Sequence, residues 1–185
     1  MAIKDRIEAI QLQLKTIWML VFIIFGCVPG PLLVGTENVS NEEELWFGYS
    51  RNGIYQLKVD VFLRVRDTNL PSKIVLVAPR EETKGLFTLH YTAPWSVKDY
   101  KDNEESWPDI IGVVNAGVRI QCNNLVKYKT TAYGNSLYIF AKILNGPFKG
   151  IEVEISDLSL VGPEHKSGVF LNAPNLNLLV FVKDK

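Results

Sequence analysis

At 185 residues, with 47% apolar and 22% charged side chains, the chain has the length for a short leader plus one domain with its own core. That composition excludes wholesale disorder. The formal net charge is zero, and from Thr36 onward acids outnumber bases by one, so nucleic-acid binding has no electrostatic footprint.

The first predicted element is a helix. Ile3, Ile7, Ile10, Leu14 and Ile17 recur at alternating spacings of four and three, one apolar stripe that wants another helix or a bilayer interface as its partner. The stripe runs into Thr16–Thr36, the longest stretch without a charge. Lys4, Arg6 and Lys15 precede that stretch and Glu37, Glu42, Glu43 and Glu44 come after it. The positive-inside rule then puts the N-terminus in the cytoplasm and the rest on the extracytoplasmic side, periplasmic or lumenal.

Three readings of residues 1–35 stay open. The first is an uncleaved single-pass signal-anchor. A helix over Thr16–Val28 reaches only about 20 Å of a hydrocarbon core about 30 Å thick. Pro29 and Pro31 interrupt the remainder of the run, so such an anchor needs tilt or protein cover. The second reading is an export signal, cleaved after Gly35 or lipidated. Ile24-Phe25-Gly26-Cys27 resembles a bacterial lipoprotein box, and the resemblance implies lipid attachment at Cys27. The third is a buried helix of a soluble protein.

From residue 36 the pattern is β. Leu45–Tyr49 reads as a strand, with turn residues Ser50-Arg51-Asn52-Gly53 after it. Tyr55, Leu57, Val59, Val61, Leu63 and Val65 alternate with polar residues through Arg66, Phe62 excepted, which predicts one long strand with one wet face. Further strands are expected over Ile74–Ala78, Leu86–Tyr91, Gly117–Cys122, Leu125–Thr131, Leu137–Ile143, Ile151–Ile155 and Val169–Leu171. The run Leu176–Val182 is apolar on both faces and reads as a central strand. Together these are about nine strands of an antiparallel sandwich or barrel. Within them Ser136–Ser156, two alternating strands joined by Gly146-Pro147-Phe148-Lys149-Gly150, resembles the strand–turn–strand unit of small SH3-like barrels. It covers a small part of the chain and assigns no family.

Reactive constellations are sparse. His90 and His165 are the only histidines, they fall in separate segments, and no metal or cofactor site is expected. Cys27 and Cys122 lie in different environments and are not paired. Cys122 reads as a small buried hydrophobe, since no motif ties it to a histidine base. Glu152 and Glu154, two apart on a strand, share a face and could serve an envelope hydrolase as paired carboxylates, although a solvated face explains them equally. Asp99, Asp102, Glu104, Glu105 and Asp109 make an acidic loop without the alternating ligands and central glycine of a calcium-binding hand. Asn38-Val39-Ser40 is a formal glycosylation sequon.

The aromatic connector Tyr91–Trp107 carries the strongest docking signal. Trp95, Tyr100 and Trp107 sit among mixed charges, as suits a protein or glycan surface. The competing structural reading is that these rings cap the β core. Trp46-Phe47-Gly48-Tyr49 suits a membrane interface. The sequence therefore points to a non-enzymatic accessory or scaffold subunit of a membrane complex. Its partners would be the membrane and other protein subunits, met by the Ile3–Ile17 stripe and the aromatic loop. The alternative is a surface-tethered module for a glycan or peptide.

Overall fold

The structure, a computed structural model, describes residues 33–66, 74–83, 93–130 and 134–182. The Ile3–Ile17 stripe, Cys27, His90 and the strand expected over Leu86–Tyr91 lie outside the described residues. Among the described residues no helix is long and apolar enough to cross a membrane.

The described part is mostly β, with few helices. Nine strands form one mixed sheet: β1 (Leu33–Asn38), β2 (Ile54–Leu57), β3 (Val61–Val65), β4 (Ile74–Val77), β5 (Ile110–Val114), β6 (Arg119–Thr130), β7 (Gly134–Ile143), β8 (Glu152–Glu154) and β11 (Leu179–Val182). Their order is β11-β2-β6-β7-β8-β4-β3-β5, with β1 also paired to β6. β9 (Ser159–Glu164) and β10 (Phe170–Pro174) pair separately. The single α-helical segment among the described residues is α1 (Val97–Asp102), whose N-cap Ser96 accepts the Asp99 N–H through its side chain. β1 begins at Leu33, so the end of the charge-free run, Leu33–Thr36, belongs to the sheet.

The long strand expected from Tyr55 to Arg66 is present with an interruption. Ile54 faces Gln121 in the β2–β6 ladder and Val61 faces Val114 in β3–β5, seven residues on along one run and seven back along the other. The two ladders are thus one register, broken at Lys58–Asp60. There the Asp60 carboxylate accepts the Ala116 N–H at 2.7 Å, and Gly117, at φ +86°, turns the opposite chain.

Counting β2–β3 and β5–β6 each as one run, the pairings pass from β2–β3 through β4, β8, β7 and β6 and return to β2–β3. Five runs in a circuit cannot all alternate in direction, so one neighbouring pair must be parallel. That pair is β4–β8, where Val75 faces Glu154. The sheet is therefore mixed, and the wholly antiparallel arrangement expected from the alternation is corrected at this contact.

The main core lies on one side of these strands, with Leu57, Leu63, Leu76, Ile120, Leu125, Ile139 and Ile155 almost fully buried in it. A smaller cluster lies on the other side of β3, β4 and β5. Phe62, Val75 and Val77 meet Ala93, Tyr100 and Ile110 there. Phe62, the apolar exception on the expected wet face, is buried because the chain around α1 covers that face.

Three further expectations are corrected. Leu45–Tyr49 is no strand: Glu43–Trp46 is a 3-10 turn, which buries Leu45 and Trp46 and lets the Trp46 indole N–H donate to the Ser40 carbonyl. Gly117–Cys122 and Leu125–Thr131 are one strand, β6, with a bulge between Cys122 and Asn124. The bulge shifts the inward set from Ile120 and Cys122 to Leu125, which breaks the alternation in the sequence. Leu176–Val182 is not central either: β11 lies at the end of the sheet, paired with β2 among the described residues.

Candidate functional site

The β6 bulge builds a groove on the outer face of the sheet. Beyond it Leu125 points into the core while Asn124, Val126 and Tyr128 take the outer face. On β7 the inward residues are Leu137, Ile139 and Ala141, so Tyr138 and Phe140 face out. Val126 faces Tyr138, Asn124 faces Phe140 and Phe140 faces Glu154 in the ladders. Val153 points inward on β8, leaving Glu152 and Glu154 outward. With Thr36 and Asn38 of β1, this face forms a groove of about 180 Å³. Asn124 Nδ2 donates to Glu152 Oε1 at 3.3 Å across it.

A buried polar cluster adjoins the groove through the tyrosines. Tyr128 lines the groove and lies 4.5 Å, ring to ring, from Tyr138. The Arg66 guanidinium stands 6.0 Å over the Tyr138 ring and donates two bonds to the Glu154 carboxylate, at 2.9 and 3.1 Å. The two charged side chains are 2% and 1% exposed, so the pair is fully desolvated. Burial pushes the Tyr128 hydroxyl up to about 12, with the Glu154 charge adding to the rise. Burial also pushes Asp157 up to about 6, against the pull of Arg66 and Arg64. Asp157 Oδ2 is buried without a hydrogen-bond partner among the described residues. Arg64 pairs with Asp109.

The residues singled out in the sequence fall in separate places. Cys122 is fully buried in the main core, and burial raises its thiol far above the usual range. His165 bonds Ser167 at 2.8 Å and sits 3.5 Å from the Glu44 carboxylate. No group of three or more metal-ligating side chains is assembled among the described residues. Glu152 and Glu154 do share a face, but Glu152 is exposed and Glu154 is clamped by Arg66. In the acidic loop Asp109 is taken by Arg64, Asp99 accepts the Trp95 N–H, and Glu104 accepts the Tyr100 hydroxyl.

The aromatic loop is divided. The Tyr100 ring packs edge-on against Phe62 at 5.5 Å, and Trp107 packs on the same cluster. Trp95 is half exposed, with the Arg80 guanidinium 5.8 Å over its ring. These contacts match the capping alternative, leaving Trp95 as the ring that faces solvent. Exposed apolar side chains gather elsewhere: Leu176, Val180 and Phe181 on and before β11, and Leu160, Val161 and Phe170 on the β9–β10 pair.

Sequence reasoning missed Arg66, Asp157 and the groove. Arg66 and Glu154 are 88 positions apart, so only the β4–β8 and β7–β8 pairings bring them together. The broken alternation at Asn123 was a legible sign of the bulge. No family model matches the chain, and the comparisons with curated proteins and with solved structures gave no match either.

Proposed function

We propose that the chain is a non-enzymatic accessory or scaffold subunit of a membrane complex. In this reading residues 1–32 hold it at the membrane, and the β unit, a closed barrel extended by β1 and β11, meets its partners on the extracytoplasmic side. The charge order around the Thr16–Thr36 run supports that orientation, and the five-run circuit supports the barrel.

The observation that carries the proposal is β11, which has β2 as its one ladder partner among the described residues. Val180 and Phe181, on opposite faces of the strand, are each 45% exposed, and Leu176 just before it is 68% exposed. No charge or proline occurs from Leu176 to Val182. Edge strands that must stay unpaired are normally guarded by such residues. An unguarded apolar edge suits addition of a partner subunit's strand, with main-chain bonds giving affinity and the two apolar faces giving specificity. The buried Cys122 thiol and the clamped Glu154 favour an interaction role over hydrolysis.

The test is gentle detergent extraction of the full chain from its native membrane, with sizing of the extract. The expected result is an assembly well above one protein chain in its micelle, lost when Val180 and Phe181 are both replaced by Lys. A lone monomer overturns the accessory reading. An assembly that survives both substitutions removes β11 as its contact.

A further inference from the structure

We propose that the groove on the outer face of β1, β6, β7 and β8 binds the ring of a neutral sugar. This goes beyond the scaffold reading and does not depend on it. The polar rim comes first. Thr36 offers a hydroxyl, Asn38 and Asn124 offer amides, and Glu152 offers a carboxylate. Hydroxyl and amide groups each donate and accept, whereas a carboxylate only accepts. A ligand dense in hydroxyls, each both donor and acceptor, matches such a set. An aliphatic ligand would leave the rim unpaired, at the cost of desolvating it.

Charge narrows the class. Glu152 is the only charged side chain in the lining. Lys142 faces Glu152 across the β7–β8 ladder beside the groove, so the rim carries no excess charge of either sign to select a phosphate, a carboxylate or an acidic sugar. The Asn124–Glu152 hydrogen bond holds one donor group and one acceptor group side by side, poised for a pair of neighbouring hydroxyls.

The floor supplies the other half of sugar chemistry. Phe140, partly exposed, and Val126 give an apolar surface for the C–H face of a pyranose, with Tyr128 buried beside them. The groove is about 180 Å³, below the roughly 300–1,000 Å³ of sites for drug-sized ligands, which fits one ring. It crosses the outward faces of four strands, from β8 to β1, and its lining is made of side chains on those faces. An extended peptide would therefore find no main-chain ladder in it. All seven lining residues lie on strands, so the site is largely formed before the ligand arrives.

The experiment uses the full chain in mild detergent. It is screened on immobilised neutral oligosaccharides and then titrated with the methyl glycoside of the terminal sugar recognised. Asn124→Ala removes a rim amide and Glu152→Gln exchanges the charged acceptor for a neutral amide, and each is expected to weaken binding about tenfold with an unchanged unfolding midpoint. Arg119→Ala, in the separate opening lined by Gln56, Gly117 and Asn145, is expected to bind as the parent does. Failure to bind any neutral saccharide overturns the proposal. So does binding that Asn124→Ala and Glu152→Gln leave intact, or recognition of peptides alone.

Discussion

Asp157→Asn should make the fold more stable at neutral pH. Two guanidiniums, Arg66 and Arg64, act on Asp157, and each is paired with another carboxylate, Arg66 with Glu154 and Arg64 with Asp109. Asp157 is the surplus acid, with Oδ2 buried and unbonded among the described residues. Its pKa rises from the usual 3.8 to about 6, so the folded state holds the proton more tightly than the unfolded chain does. Above pH 6 both states are ionised and the folded state carries the full penalty of the buried charge. As pH falls from 6 to about 4 that penalty is relieved and the wild type gains stability. A rise of about two units corresponds to about 3 kcal/mol. The Asn amide must itself be desolvated, so the net gain at pH 7 should be about 1–2 kcal/mol. Urea denaturation of the full chain, monitored by tryptophan fluorescence, reads it through the buried Trp46. The gap between variant and wild type should close between pH 7 and pH 4. A variant less stable at pH 7, or a gap that ignores pH, would refute the reasoning, because Asp157 would then be paired in solution.

Glu154→Gln leaves the desolvated Arg66 charge without its carboxylate and should destabilise the fold by about 3–5 kcal/mol, measured by the same denaturation. Replacing both partners with Met should recover much of that loss. Tyr100→Ala removes a ring buried against Phe62 and should cost about 3 kcal/mol, while Trp95→Ala should stay within about 1 kcal/mol. Equal effects from the two would mean that the aromatic loop does not cap β3–β5 as described.

Much of the sheet was legible because alternation is a local signal. β7 and β8 appear where Leu137–Ile143 and Ile151–Ile155 alternate, with the Asn145–Gly150 connection between them turning at Gly146 and Gly150, both at positive φ. Alternation misled where local geometry changed its phase. The β6 bulge split one strand into two apparent ones, and the 3-10 turn at Glu43–Trp46 buried an apolar pair that resembled a strand. Position in the sheet left no trace: Leu176–Val182 is as apolar as a central strand, yet β11 ends the sheet among the described residues. Trp95, Tyr100 and Trp107 shared a segment, but Tyr100 and Trp107 pack on the Phe62 cluster while Trp95 is half exposed. Arg66 and Asp157 stood out in no local pattern, because burial of a charge is decided by which distant strand arrives beside it.

The parity of the circuit ties these outcomes together. With five runs, one pairing must be parallel, and it falls at β8, a strand of only three residues. Glu154 is the residue of β8 that faces Val75 on one side and Phe140 on the other. The closing contact of the circuit therefore carries a buried carboxylate, and Arg66, directly after β3, neutralises it. Glu152, two residues earlier on the same face, remains free to reach Asn124 across the groove. One short strand thus serves both closure and the groove rim, so the two can be separated experimentally. Substitution at Glu154 should act on stability and leave the rim chemistry in place, whereas substitution at Glu152 should act on ligand binding alone.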